Sequence, residues 1–458
     1  MKVILGIFLL FTSFCLGQTV KNIDFLDNWH QDSILTASTK IRYNECWGFE
    51  MYGSEFAVLG STEGTHIFEI SSVDKFIPRG FVEGRFSSAQ VVHRDYKVYQ
   101  NYLYAVCDEG ISSLQIIDLS YLPDSIHLVY DETNIIGTAH NLFIDEPNQL
   151  LYAFSVLSFV NDVPQTYKTM QVFSLADPLI PLLIFTGPND VNHVHDGFVK
   201  NNIAILNCGF DGLRCYDFSN PSSPVFLQNM PFYQDQGYNH QGWLNPKGDT
   251  YIFADETAGK KLKKCSVNSN GEIEIESYFG VGMTEGSVPH NIMLDDQFAY
   301  VAYYNFGLRV FDYTKTPVEQ VGEYDTYPDN LNYKMNGAWG IYSKLPSGRI
   351  IVSDRSYGLF LFDFNRKIFE NRNDETIQVY PNPVSSGNEL IFFLNSSFVG
   401  AIEYDLVDAL GNIVVSGSKS DFNYVNVPIN SAQGYYVLRV RYERNLEINE
   451  ISTPIIVH

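Results

Sequence analysis

Short apolar runs separated by turns recur along the first 366 residues of the chain. In one unit, an apolar run at residues 202–207 is followed by an Asp-Gly turn at 211–212 and a second apolar run at 213–218. A cluster of Asn, Pro and Ser follows at residues 220–224. Such spacing is typical of β-meanders, so the pattern predicts units of four short antiparallel strands.

The four-stranded unit repeats seven times. Each copy has a histidine or tryptophan, here called the anchor, near the start of its first strand, and the anchors are roughly 45–55 residues apart, as in four-stranded propeller blades. The anchors are Trp47, His93, His140, His195, His240, His290 and Trp339. A second motif recurs in step at residues 64–69, 113–118, 169–174, 212–217, 261–266, 307–312 and 358–363. The repeats predict an all-β fold, a seven-bladed β-propeller over residues 18–366, closed by a strand at 22–29.

The repeats stop after residue 366. Residues 367–376 are polar and charged, which predicts an exposed linker. From 377 to 458 a different set of alternating apolar segments begins, the first of them at 377–380. Its length and its turn spacing predict a small, Ig-like β-sandwich domain.

The N-terminus has the pattern of a secretory signal peptide. Lys2 supplies the positive charge, residues 3–14 are apolar, and the small residue Gly17 precedes a plausible cleavage point. The apolar run is too short to span a bilayer, and we expect no transmembrane segment elsewhere. The sequence therefore predicts a signal peptide at 1–17, export through the periplasm, and an extracellular or outer cell-surface location.

Composition argues against nucleic acid as a partner and leaves open whether the chain forms a disulfide. The 458 residues carry a net charge of −23, and the pI is about 4.7. This charge repels phosphate backbones, so we expect no nucleic-acid binding. Five cysteines remain after the predicted cleavage, and an odd number cannot pair completely. Cys208 and Cys215 are either paired across a hairpin or two buried thiols.

Candidate chemistry gathers on one face of the predicted propeller. The loop that enters the innermost strand and the loop between the second and third strands emerge on the same face, so residues far apart in sequence converge there. Such convergence is what a metal or polar-ligand site requires. The candidate ligand-binding residues are His93, His140, His195, Asp196, His240, Asp255, Glu256, His290, Trp339 and Asp354.

Three interpretations of the histidine anchors stay open. His140, His195, His240 and His290 form a transition-metal site if their rings meet, with neighbouring anchors helped by Asp196 or Glu256. Alternatively, each imidazole bonds the backbone of the next blade and locks the repeats together. The third interpretation is a polar site without metal. The predicted function is accordingly a surface binding module for a protein, a glycan or a small polar molecule. The rival is a metal-dependent hydrolase or oxidase, for which no catalytic residue is assigned.

The last 80 or so residues resemble the type A sorting domain of the Bacteroidetes type IX secretion system. The resemblance rests on Tyr-Pro-Asn-Pro at 380–383, Asp-Ala-Leu-Gly at 408–411 and Gly-Tyr-Tyr-Val-Leu at 434–438. In that family the domain is an address for passage across the outer membrane. The resemblance therefore implies the type IX secretion machinery as a partner of residues 377–458.

Residues 43–364 resemble the LVIVD-repeat proteins called choice-of-anchor B. The matching segments are Tyr-Asn-Glu-Cys-Trp-Gly at 43–48, Asn-His-Gln-Gly-Trp at 239–243, Ala-Asp-Glu at 254–256, His-Asn at 290–291, Gly-Ala-Trp at 337–339 and Ser-Asp at 353–354. The resemblance implies a propeller displayed at the cell surface through varied anchors. The resemblance implies where the protein is located but not which reaction or ligand it serves.

Overall fold

A computed structural model shows an all-β protein, which confirms the predicted fold class. The structure describes residues 20–36, 40–281, 288–328, 335–366, 377–394, 401–420, 424–444 and 447–458. Within them, the one helical element is a short 3-10 turn at Glu146–Asn148, and no helix there is long and apolar enough to cross a membrane. The predicted signal peptide and linker lie outside these residues. The chain divides into two compact units, Met1–Phe364 and Asn365–His458.

Most of the described strands of the first unit form seven antiparallel sheets: six of them have four strands, and one, which the short strand Val20–Lys21 joins, has five. From inside to outside, sheet 1 is Tyr43–Met51, Ser54–Ser61, Gly64–Ile70 and Phe76–Glu83, and sheet 2 is Arg94–Tyr99, Tyr102–Cys107, Leu114–Asp118 and His127–Glu132. Sheet 3 is Asn141–Asp145, Leu150–Val156, Lys168–Ser174 and Leu182–Thr186, and sheet 4 is Asp196–Lys200, Ile203–Asn207, Leu213–Asp217 and Val225–Met230. A small hairpin of Phe159–Val160 and Val163–Pro164 is inserted in sheet 3.

The remaining sheets follow the same plan. Sheet 5 is Asn239–Leu244, Thr250–Asp255, Leu262–Val267 and Ile273–Phe279, and sheet 6 is Ile292–Leu294, Phe298–Ala302, Leu308–Asp312 and Glu319–Tyr324. Sheet 7 is Ala338–Tyr342, Ile350–Asp354, Gly358–Phe364 and, as its outermost strand, Ile23–Trp29. The short strand Val20–Lys21 pairs with the outermost strand of sheet 6.

The sheets close into a ring. The innermost strand of each sheet lies beside that of the next, and the innermost strand of sheet 7 lies beside that of sheet 1. As the sequence pattern predicts, Ile23–Trp29 completes the last sheet, pairing from Ile23 with Phe364 to Trp29 with Leu359. This pairing covers a backbone edge that would otherwise be open. The arrangement is propeller-like.

The core of the first unit lies between neighbouring sheets. Tyr104 and Ile116 of sheet 2, for example, pack with Leu142 and Leu151 of sheet 3 in one buried cluster. The widening wedge between two twisted sheets needs bulky side chains, which accounts for an aromatic content of 15%. The five cysteines of the described residues are buried free thiols, so Cys208 and Cys215 do not form a disulfide.

The second unit has two antiparallel sheets around a core of its own. One consists of Ile377–Tyr380, Glu389–Leu394 and Val425–Pro428, and the other of Ile413–Lys419, Ile402–Asp408, Gly434–Arg444 and Glu447–Val457. Leu390 and Phe392 of the first sheet share one buried cluster with Leu406, Leu438 and Val440 of the second. Residues two apart on these strands face this common core.

Candidate metal and ligand site

Six of the seven anchors form a ring of aromatic side chains where the innermost strands begin; we call it the anchor ring. In ring order its centroid distances are 4.0 Å for His93 and His140, 4.1 Å for His140 and His195, 4.1 Å for His195 and His240, 4.3 Å for His240 and His290, 4.2 Å for His290 and Trp339, and 5.8 Å for Trp339 and His93. The structure thus brings these six anchors side by side in one ring.

Trp47 is not part of the anchor ring, contrary to expectation. Tyr43 pairs with Ser61 at the end of its strand as Asn239 pairs with Asp255 in sheet 5, so the position that corresponds to the anchor His240 is Asn44 and not Trp47. Glu45 accordingly meets Asn291 one layer below the ring. Because residues two apart share a face of a strand, Trp47 lies a further layer down. There its ring packs against Tyr342 at 5.0 Å, with the Lys97 ammonium 4.3 Å above it.

Directly below the ring, polar side chains at the start of the innermost strands link different sheets; we call them the locking layer. Asn141 Nδ2 donates to Asp196 Oδ2 at 2.8 Å, Leu142 N donates to Asp95 Oδ2 at 2.7 Å, Ile292 N donates to Gln241 Oε1 at 2.8 Å, and Asn291 Nδ2 donates to Glu45 Oε2 at 2.6 Å. These bonds join sheets 3 to 4, 2 to 3, 5 to 6 and 6 to 1. Asp196, predicted as a ligand-binding residue, belongs to this layer and serves the fold.

The locking layer also lines a small cavity. Together with Trp47 and Lys97 it surrounds a space of about 30 Å³, room for one or two water molecules. Burial, followed by the charge of Asp95, raises the pKa of Glu45 to about 8. Burial likewise raises the pKa of Asp196 to about 8.

Two imidazoles of the anchor ring, those of His195 and His290, lock sheets through one nitrogen and leave the other free. His195 Nδ1 lies 2.9 Å from the carbonyl oxygen of His240, and His290 Nδ1 lies 2.7 Å from that of Trp339. A carbonyl only accepts, so each Nδ1 carries the proton and each Nε2 keeps its lone pair. This is how second-shell bonds orient metal-binding histidines. The locking and ligand interpretations are therefore compatible.

Burial sets the protonation of these rings. It lowers the pKa of His93, His195, His240 and His290 well below 6.5, so all four are neutral near pH 7. At His140 burial acts in the same direction, but the hydrogen bond and the charge of Asp108 outweigh it and raise the pKa. His140 Nδ1 lies 2.7 Å from Asp108 Oδ2.

Glu256 completes a candidate metal centre with two of the four predicted histidine ligands. One ligand atom each from His195, His240 and Glu256 lie within 4.8 Å of one another, the one such trio among the described residues. Two atoms on one zinc ion are at most about 4 Å apart. The trio is therefore within about an ångström of a coordinating arrangement. His290 Nε2 lies 4.0 Å from Glu256 Oε1, so it flanks the site.

Sequence reasoning missed Tyr304, which contacts this centre most closely. Its hydroxyl donates a hydrogen bond to Glu256 Oε1, and its ring lies 5.0 Å from that of His290. Burial raises the pKa of Glu256, while the bond from Tyr304 works in the opposite direction. Arg355, also missed, stacks its guanidinium 4.3 Å from the centre of the Trp339 ring.

Two further predicted residues are used by the fold. The oxygens of Asp255 accept bonds from the hydroxyl of Tyr233, the backbone nitrogen of Gly237 and the ammonium of Lys263. Asp354 accepts bonds from Thr326 and from the backbone nitrogens of residues 356 and 357. Both carboxylates are fully buried. The structure thus places Asp255 and Asp354 in turn-stabilising networks rather than in the metal trio.

Comparison with known proteins adds information about the fold alone. No family model matches the chain, and no curated protein is similar to it in sequence. A crystal structure of a protein from Lactobacillus plantarum is similar over 84% of this chain and all of that one, with a TM-score of 0.51 and 11% identity. The computationally designed Ika8 protein covers 70% of this chain and is itself covered to 83%, with a TM-score of 0.45 and 9% identity.

Proposed function

We propose that residues 20–364 form a seven-bladed β-propeller that binds one divalent transition-metal ion at His195, His240 and Glu256. The observation that carries the proposal is that His195 bonds the fold through one nitrogen while a ligand atom each of His195, His240 and Glu256 lie close together. Nδ1 of His195 is held by a neighbouring carbonyl, and ligand atoms of His195 and His240 gather with Glu256 within 4.8 Å. A histidine that served only to lock sheets would need no carboxylate at that point.

The chemistry of the three ligands favours zinc, iron, copper or nickel over magnesium or calcium. Imidazole nitrogens suit the first group, whereas the second prefers oxygen ligands. Two histidines and one glutamate leave at least one coordination position open, as in catalytic and ligand-binding metal sites. The protein is thus a binding module whose ligand offers the ion an oxygen or nitrogen donor.

We also propose that the protein is exported, with residues 1–17 as a signal peptide and 377–458 as an Ig-like sorting domain. The two sheets of the second unit share one core, as a β-sandwich requires. The Asp-Ala-Leu-Gly segment forms a turn in which Asp408 accepts bonds from the backbone nitrogens of Leu410 and Asn412. The LVIVD-repeat resemblance supports surface display of the propeller.

The metal proposal is tested by titrating the metal-stripped protein with Zn²⁺ and measuring bound metal after gel filtration. We expect one ion per chain in the wild type and none in the double variant His195→Ala, His240→Ala. The control is His127→Ala, since His127 is an exposed histidine bonded to Ser125 outside the ring. Equal zinc content in the wild type and the double variant would overturn the proposal, as would a wild type that binds no zinc.

A further inference from the structure

Tyr304 occupies a backbone position that favours glycine. In sheet 4 the turn after the second strand places Gly209 at φ +57°, and in sheet 6 the same turn places Tyr304 at φ +40°. The two positions correspond, because each forms an isolated bridge with the next innermost strand, Gly209 with Asn239 and Tyr304 with Ala338. A bulky residue in the left-handed region is strained. The tyrosine side chain must therefore contribute something that glycine does not.

The backbone around Tyr304 holds the side chain in one place. The Tyr304 carbonyl accepts hydrogen bonds from the backbone nitrogens of Gly307 at 2.8 Å and Ala338 at 2.9 Å. The side chain is fully buried, and its ring lies 5.7 Å from that of Trp339 in the anchor ring. These contacts compensate for the strain and aim the hydroxyl at Glu256.

The hydroxyl separates the roles of the two Glu256 oxygens. Tyr304 donates to Oε1, whereas Oε2 lies 3.9 Å from His240 Nε2. A carboxylate without this bond could rotate about its last torsion and exchange the two oxygens, because such torsions are broad and roughly two-fold. With the bond in place, Oε2 remains turned toward the imidazole that would share the ion.

We infer that Tyr304 is a positioning residue that holds Glu256 for metal coordination through Oε2. This inference rests on the proposed metal site and adds to it a prediction about coordination mode. Glu256 would bind the ion through one oxygen, with the other kept as the acceptor for Tyr304. Loss of an outer-shell partner of this kind typically weakens metal affinity by about 10–100-fold.

The experiment is a Co²⁺ titration of the full chain, followed by visible absorption, with wild type, Tyr304→Phe and Tyr303→Phe. Tyr304→Phe keeps the ring and the backbone and removes only the hydroxyl. Tyr303→Phe is the matched control, since the Tyr303 hydroxyl bonds the backbone of Val281 away from Glu256. We expect the Co²⁺ dissociation constant to rise at least 10-fold in Tyr304→Phe and to stay within about 2-fold of wild type in Tyr303→Phe. The Co²⁺ spectrum should change in Tyr304→Phe alone.

A double-mutant cycle with Glu256→Gln shows whether Tyr304 acts through Glu256. If it does, adding Tyr304→Phe to Glu256→Gln causes no further loss of Co²⁺ affinity. Two results separate the claims. A wild type that binds no Co²⁺ overturns both the metal site and the positioning role. A wild type that binds Co²⁺, with Tyr304→Phe binding equally well or with additive losses in the cycle, overturns the positioning role and leaves the metal site standing.

Discussion

At the residue scale, the histidine anchors matter because imidazole has two different nitrogens. One nitrogen can bond a neighbouring sheet while the other stays free for a ligand. The same imidazole can therefore stabilise the fold and bind a ligand. His195 and His290 bond the backbone of the next sheet through Nδ1, and His240, with an unpartnered buried Nδ1, does not. Anchors of the same residue type therefore differ in how much they stabilise the propeller.

His290→Ala should separate the locking role from the metal role. The substitution removes the bond to Trp339 and leaves a cavity in the ring, so we expect the free energy of unfolding to fall by roughly 2–3 kcal/mol. Zinc stoichiometry should stay at one, because His290 is outside the trio. Chemical denaturation and metal analysis measure the two effects, with His127→Ala as the surface control. Loss of zinc together with unchanged stability would contradict the assignment.

Glu45→Gln should make stability less sensitive to pH. The pKa of Glu45 is about 8 in the fold and 4.5 as its ordinary value. The folded state therefore binds more protons than the unfolded state between these values, and wild-type stability falls as pH rises toward 8. The Glu45→Gln variant has no carboxyl group to ionise at this position, so its stability does not fall for this reason. We expect the stability of the variant relative to wild type to be higher at pH 9 than at pH 5 by at least about 1.4 kcal/mol, the equivalent of one pKa unit.

Denaturation curves of both proteins at pH 5 and pH 9 measure this difference. Comparing the two proteins cancels the contributions of the titrating groups that do not interact with Glu45. A stability difference that is the same at both pH values would mean that Glu45 ionises normally within the fold.

At the scale of the element, ring closure depends on one strand from the start of the chain. Ile23–Trp29 completes sheet 7, and Trp29 reaches across to sheet 1, with its ring 6.0 Å from that of Tyr43 and 4.8 Å from that of Phe68. The strand thus joins the last sheet by hydrogen bonds and the first by packing. Its loss would expose a backbone edge and part of the core between two sheets.

Trp29→Ala should lower the free energy of unfolding by roughly 2–4 kcal/mol, because it removes a half-buried aromatic from the junction of sheets 1 and 7. The matched control on the same strand is Phe25→Ala. Phe25 is 49% exposed, so its removal should cost about 1 kcal/mol. Urea denaturation of the three proteins measures both values. Equal losses for the two variants would show that Trp29 does not join the sheets.

At the scale of the whole molecule, the chain consists of two compact units. Each has its own core, and the clusters of the second unit contain no residue of the first. A unit that folds on its own can serve as an address without contributing to a site elsewhere. The strongly acidic balance of the chain, with a net charge of −23, favours solubility.

Deletion of residues 377–458 should trap a folded propeller in the periplasm. The first unit keeps its whole core, so its zinc stoichiometry and melting temperature should match those of the full chain. Cell fractionation and surface protease accessibility measure the location. The reciprocal control attaches residues 367–458 to a periplasmic reporter, which should then reach the surface. Normal surface levels of the truncated protein would refute the sorting role.

The repeat, the strands and most of the anchors could be predicted from the sequence, because the alternation of apolar and polar residues and the choice of turn residues are local signals that extend over a few positions. The closing strand at 22–29 was predictable for the same reason. That Trp47 lies outside the ring was not predictable, since it depends on which residues of Tyr43–Met51 pair with Ser54–Ser61. The one sequence signal for Tyr304 is that it replaces the glycine found at 209 in the corresponding turn.

By itself, the sequence determined an all-β chain of repeated four-stranded units with a histidine-rich face, because these properties follow from local patterns that each repeat carries independently. Only the tertiary structure decided which side chains meet. It divided the predicted carboxylates between turns, the locking layer and the metal trio, and it brought Tyr304 to Glu256 across 48 positions of sequence. Such contacts depend on strand register and on the angle between neighbouring sheets, which are set by packing over the whole ring.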